Sequence, residues 1–138
     1  MRITSEADYA VRIVYRLAEK NGRIGAKEIA ENVHVTMRFT LKILRKLVIA
    51  EIAKSYKGAG GGYTLARPAD AISVLDVIEA IDGPVLLNKC LEGDMACSAE
   101  HVPDSCIFRG IWRELSEKVQ ASLAEESFAD LIAGRKKS

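Results

Sequence analysis

The hydrophobic periodicity of residues 5–67 changes once, and this change constrains the fold more than any other feature of the chain. Segment 5–20 repeats apolar residues at Ala7, Ala10, Val11, Val14, Tyr15, Leu17 and Ala18, the i, i+3, i+4, i+7 stripe of a helix. Ser5 and Asp8 have the spacing of a capping box at its start, and Asn21-Gly22 ends it. A second, shorter helix is predicted over 26–33, with Ile29, Ala30 and Val33 inward. Thr36 is a suitable N-cap for a third over 37–50, whose inner face carries Phe39, Ile43, Leu44 and Leu47. The pattern then turns to two short strands, "IAKSY" and "YTLAR", joined by "KGAGGG".

Two helices separated by a turn of three residues, the second one basic, outline a helix-turn-helix. With a hairpin after them, they outline a winged helix. Charge follows the same order. Residues 36–67 hold Arg38, Lys42, Arg45, Lys46, Lys54, Lys57 and Arg67 against Glu51 alone, while residues 68–105 hold eight acids against Lys89. The formal net charge of +1 therefore hides a basic block that covers the third helix and the hairpin, the kind of block that meets phosphates. Arg38 and Thr40, in the first turn of the third helix, are expected to reach base edges. Lys42, Arg45 and Lys46 are expected on phosphates. Lys57 and the tip glycines Gly58, Gly60 and Gly61 are expected to approach the backbone or a minor groove, since glycine permits close approach. His34, in the turn, is read as a phosphate or solvent contact. Four glycines within positions 58–62 also invite a nucleotide-binding loop, but no Gly-Lys-Ser/Thr signature is present and no helix follows directly.

Ser73 and Asp76 form a second capping-box pattern, opening a helix over 73–82 that Gly83-Pro84 terminates. A last helix is predicted over 106–125, with Ile107, Phe108, Ile111, Trp112, Leu115, Val119 and Leu123 along it. Little sequence remains to cover that seam. A homodimer through Ile107, Ile111, Leu115, Val119 and Leu123 is therefore expected, and with it a near-palindromic double-stranded DNA operator. The tail, "SFADLIAGRKKS", is expected to add one short helical turn before a basic end. The N-terminus is amphipathic and charged, unlike a signal peptide, and no apolar run reaches the ~20 residues of a membrane span. A soluble, cytoplasmic protein without membrane partners is expected.

All three cysteines lie between the last two helices, as Cys90, Cys97 and Cys106, spaced Cys-x6-Cys-x8-Cys. An odd count does not suit a secreted disulfide framework, and a cytosol keeps thiols reduced. Clustered thiols in a loop point to metal or redox chemistry, with buried packing residues as the bland alternative.

The segments "MRITSEADYAVRIVYRLA", "ILRKLVIAEIAKSYKGAGGGYTLARP" and "SVLDVIEAIDGP", followed by the clustered cysteines, resemble the IscR/NsrR-type winged-helix transcriptional regulators of the Rrf2 family over residues 1 to about 130. The resemblance implies a mainly α fold with a small β-hairpin, in which a winged helix-turn-helix (1–83), a cluster-binding loop (84–105) and a dimerisation helix with tail (106–138) follow one another. It implies a homodimer that binds an iron–sulfur cluster, 2Fe-2S or 4Fe-4S, through Cys90, Cys97 and Cys106. In the iron–sulfur biogenesis regulators a histidine three residues after the last cysteine serves as fourth ligand, and here that position is Arg109. In the nitric-oxide-sensing branch an aspartate near the N-terminus serves from the partner subunit, and Asp8 stands in the matching context. His101, inside the loop, is the other candidate.

The leading reading is thus a dimeric, sequence-specific regulator, not an enzyme, whose cluster senses iron–sulfur, nitric oxide or redox status. Zinc in the loop, or a thiol-only redox switch, are rival forms of the same regulator. A small iron–sulfur electron-transfer protein is a rival of another class, and it leaves the wing and the basic helix without a role.

Overall fold

The computed structural model describes residues 2–92 and 106–134. Its first helix, α1 (Ser5–Lys20), begins one residue earlier than the capping-box pattern implies. Thr4, not Ser5, is the N-cap: its hydroxyl accepts from the Ala7 N–H at 3.0 Å. Asp8 does not cap the helix and instead pairs with Arg12 at 3.1 Å. Asn21 closes α1 in the left-handed region, as does His34 for α2 (Ala26–Val33). Helix α3 (Met37–Ile49) starts at Thr36, whose hydroxyl accepts from Phe39 N–H.

Strands β1 (Ala53–Tyr56) and β2 (Gly62–Leu65) pair antiparallel, from Ala53 opposite Leu65 to Tyr56 opposite Gly62. Ile24, between α1 and α2, makes an isolated antiparallel bridge to Tyr63 and so ties this connection to the two-stranded wing. Gly62 allows this approach: at φ +140° its missing Cβ would lie 2.7 Å from the Ile24 carbonyl oxygen. Helix α4 (Val74–Asp82) carries the complete Ser73/Asp76 capping box. The long helix α5 (Ile107–Ala124) and the short α6 (Phe128–Ile132) end the described chain.

One core holds these elements together. Ile13, Val14 and Leu17 of α1 pack with Ile43, Leu44 and Leu47 of α3, Ile52 before the wing, Ile72 and Val77. The C-terminal segment joins them. After α5 the chain returns, pairs Phe128 N–H with the Ile72 carbonyl and Val74 N–H with the Glu126 carbonyl, and buries Phe128 completely. The winged-helix unit drawn at 1–83 therefore takes part of its core from beyond residue 124. Among the described residues no helix is long and apolar enough to cross a membrane.

Candidate nucleic-acid interface and cysteine site

Helix α3 turns Thr40, Ile43, Leu44 and Leu47 into the core and leaves Met37, Arg38, Leu41, Lys42, Arg45 and Ile49 exposed. The expectation for Thr40 is therefore corrected: its side chain is 0% exposed and cannot reach a base. The physical reason is helical phase. Two residues from Arg38, Thr40 lies about 200° around the axis, on the face of Ile43 and Leu44. Leu41, three residues from Arg38, is the outward neighbour that sequence reasoning missed. An exposed leucine amid cations is suited to apolar contact with a thymine methyl.

The basic residues of α3 are not equivalent. Arg38 and Arg45 are exposed, and Lys42 is exposed with a long 3.9 Å approach to Glu6. Lys46 is held back. Its Nζ lies 2.7 Å from Glu6 Oε2, with side-chain exposures of 36% and 18%. The pair ties α3 to the first turn of α1.

The wing presents Lys57 at the end of β1, exposed, followed by the exposed tip Gly58–Gly60. The tip closes as a turn, with Gly61 N–H donating to the Gly58 carbonyl at 2.9 Å. Two further cations flank it. Arg23 stacks on the Tyr56 ring at 3.8 Å and Lys54 approaches the same ring at 5.3 Å. A hydrogen bond with Thr64, then the charges of Lys54 and Arg23, hold the Tyr56 phenol below its ordinary value. Arg23 lies outside the basic block of the sequence, and only the pairing of Ile24 with Tyr63 brings it to the wing.

Two of the three cysteines lie among the described residues. Cys90 sits in a single 3-10 turn, Lys89–Leu91, whose N-cap Asn88 accepts from Cys90 N–H at 3.2 Å. Cys106 is the N-cap residue of α5, and its side chain makes no capping bond. Both thiols are free and half-buried. Arg109, one turn into α5, donates from Nε to the Cys90 carbonyl at 3.3 Å, joining the turn that carries the first cysteine to the helix that begins with the last. The segment leading to Cys90 is laid along α5. Leu87 N–H donates to the buried Ser116 hydroxyl, which donates to the Trp112 carbonyl, and Gln120 donates to the Val85 carbonyl. Cys97 and His101 lie outside the described residues. Among the described residues no three His, Cys, Asp or Glu side chains converge as a metal site.

Asp8 is on the exposed face of α1, its side chain 54% accessible. Thr4, the N-cap of α1, bonds Asp82, the last residue of α4, through its hydroxyl (2.6 Å) and its N–H (3.3 Å). The N-terminus of α1 thus meets the chain just before the cysteine segment. Along α5, Ile107, Ile111 and Leu115 are exposed, whereas Val119 and Leu123 are half-buried. Phe108, 65% exposed, belongs to the same apolar surface at the helix start.

Residues 3–134 match the Rrf2 family, described as an iron-dependent transcriptional regulator. The chain is 31% identical over 134 residues to the helix-turn-helix-type transcriptional regulator IscR of Xenorhabdus nematophila, covering 96% of this chain and 79% of that protein. Among solved structures, CymR, the global cysteine regulator of B. subtilis, is similar with a TM-score of 0.77 at 25% identity, over 96% of this chain and 97% of that one. IscR of T. potens shares the fold with a TM-score of 0.75 at 22% identity, over 100% and 94% of the two chains.

Proposed function

On the premise that the chain belongs to the Rrf2 family of transcriptional regulators, we propose that it is a homodimeric, sequence-specific DNA-binding regulator whose operator affinity is set by an iron–sulfur cluster on Cys90, Cys97 and Cys106. The fold is mainly helical with a two-stranded wing, as in its winged-helix relatives. Arg38 and Leu41 would read base edges, while Lys42, Arg45 and Lys57 would contact phosphates. Lys46 would join them only when Glu6 releases it.

The observation that carries the cluster reading is the link between Cys90 and Cys106. Both thiols are half-buried, on elements joined by the Arg109 hydrogen bond, with the third cysteine on the segment between them. Cys106 opens an 18-residue helix, whose positive end favours an anionic centre. This donor set fits an iron–sulfur cluster, which thiolates hold and which supplies a redox- and ligand-responsive group. Three thiolates leave one attachment to another residue. Asp8 of a second copy is the first candidate: it is exposed, and its i,i+4 pair with Arg12 is worth only about 0.3–0.5 kcal/mol. His101 is the second.

The exposed start of α5, with Ile107, Phe108, Ile111 and Leu115, would be the centre of the dimer interface, and Val119 and Leu123 would extend it. Two-fold symmetry then requires a near-palindromic operator. The likeness to CymR supports a second reading, in which the same thiols act without a cluster as a redox switch; three thiolates holding zinc is a third. Anaerobic purification followed by an absorption spectrum and iron, sulfide and zinc counts separates the readings. Visible absorption with iron and sulfide supports the cluster. Colourless protein with zinc, or with no metal, overturns it in favour of the others.

A further inference from the structure

With four glycines in positions 58–62, the wing tip has the weakest intrinsic backbone constraint of the DNA-binding unit. It is nevertheless tied down from outside the hairpin. Arg23, in the short connection between α1 and α2, donates from Nη1 to the Gly60 carbonyl at 3.1 Å, across 37 residues of sequence. The same guanidinium lies over the Tyr56 ring, with Cζ 3.8 Å from its centroid. Its neighbour Ile24 closes the two hydrogen bonds to Tyr63, at 3.0 and 2.9 Å. Ile24 thus fixes the root of the wing and Arg23 fixes the tip. Lys57 stands between the two points that Arg23 holds, directly after Tyr56 and three residues before Gly60. A planar guanidinium can stack on a ring and donate in its own plane at once, which a lysine ammonium cannot do.

We infer that Arg23 is the positioning residue of the wing: it clamps the glycine tip in the conformation that presents Lys57 to the DNA backbone. The clamp itself is a property of the free protein, whereas its consequence for DNA rests on the function proposed above. Without the clamp the tip samples more conformations. Lys57 is then presented in only a fraction of molecules, and the dissociation constant rises by the inverse of that fraction.

Two measurements test this on the full chain. The first is limited tryptic cleavage after Lys57, followed by mass spectrometry under native conditions, for wild type, Arg23→Ala and Arg23→Lys. Circular dichroism and the unfolding midpoint serve as controls. Cleavage should be faster by about 10-fold in Arg23→Ala, the size of one exposed cation–π contact plus one hydrogen bond. Arg23→Lys should restore little of the protection, and it also provides the comparison if Arg23→Ala folds poorly. The second measurement is a double-mutant cycle on a duplex of about 30 base pairs, enough for two half-sites, selected in vitro for binding to the wild type. Lys57→Ala should weaken binding by about 10-fold in wild type, and by less than about 2-fold in the Arg23→Ala background, although the two side chains have separate partners. Unchanged cleavage after Lys57 would overturn the clamp. An equal Lys57→Ala penalty in both backgrounds would overturn the positioning role and make Arg23, at most, an independent phosphate contact. Faster cleavage in Arg23→Ala, when no binding duplex can be selected for the wild type, would overturn the DNA reading and leave the clamp standing.

Discussion

Replacing Glu6 by Gln should lower the stability of the protein and raise its affinity for DNA, and this opposition of sign makes it a sharp test of the recognition helix. Glu6 Oε2 lies 2.7 Å from Lys46 Nζ, and its Oε1 lies 3.9 Å from Lys42 Nζ. With Glu6 at 18% and Lys46 at 36% exposure, the pair is shielded more than a surface pair but less than a buried one. It should contribute about 1 kcal/mol, the top of the range for exposed pairs. For a chain of 138 residues that corresponds to a fall of about 4 °C in the unfolding midpoint. The freed Lys46 can then neutralise one more phosphate per subunit, steepening the slope of log K against log salt by about 0.9 for each. Glu114→Gln, which breaks the exposed pair with Lys118 on α5, controls for the general loss of negative charge. Binding would be measured by fluorescence anisotropy on an operator duplex from about 50 to 200 mM salt. If Glu6→Gln lowers the midpoint but leaves the slope equal to that of Glu114→Gln, Lys46 does not face DNA and the account of α3 is wrong.

Other outcomes follow from the same arrangement. Arg38→Ala should relax base preference at one position of each half-site, with a cost of about 1–3 kcal/mol at the matched operator, read by binding to a single-substitution operator set. Leu115→Asp should give monomers by sedimentation and weaken operator binding, since a carboxylate in the proposed α5 interface would be desolvated. Phe128→Ala should destabilise the fold by about 3–5 kcal/mol, because the ring is fully buried in the winged-helix core, as denaturant unfolding would show. Asp8→Ala should shorten the lifetime of the cluster without removing the protein's ability to acquire it. An unchanged lifetime in anaerobic decay of the visible absorption would move the fourth ligand to His101.

Local signals made the winged-helix order legible in the sequence. Helical periodicity located α1, α2 and α3 to within a residue or two, and Ser73 with Asp76 specified a capping box that forms as read. Where two local signals competed, the reading slipped. Ser5 and Asp8 fit the capping-box spacing, but Thr4, one residue earlier, takes the N-cap and leaves Asp8 a full turn inside the helix. Thr40 lies in the first turn, where side chains can reach base edges. Its phase with Ile43, Leu44 and Leu47 points it inward, and that phase was readable from spacing alone. The long-range contacts were not readable. Glu6 meets Lys46 forty residues away, Arg23 meets Gly60 across the wing, and Phe128 enters the core from a short polar tail with no periodicity of its own. Each depends on tertiary packing, for which the sequence has no local signature.

In the proposed function, a cluster on Cys90, Cys97 and Cys106 sets operator affinity. The most direct measurement is the operator dissociation constant of anaerobically purified protein before and after chelation of the cluster, with iron and sulfide counted in the same samples and with Cys90→Ala, Cys97→Ala and Cys106→Ala as comparisons. Iron and sulfide are expected in wild type and their loss in each variant. Affinity should change by about 5- to 150-fold on cluster removal, the range of an allosteric coupling of about 1–3 kcal/mol. Each variant should then bind with the affinity of the chelated protein. Full cluster content in any one variant, or equal operator affinity with and without the cluster, would contradict it.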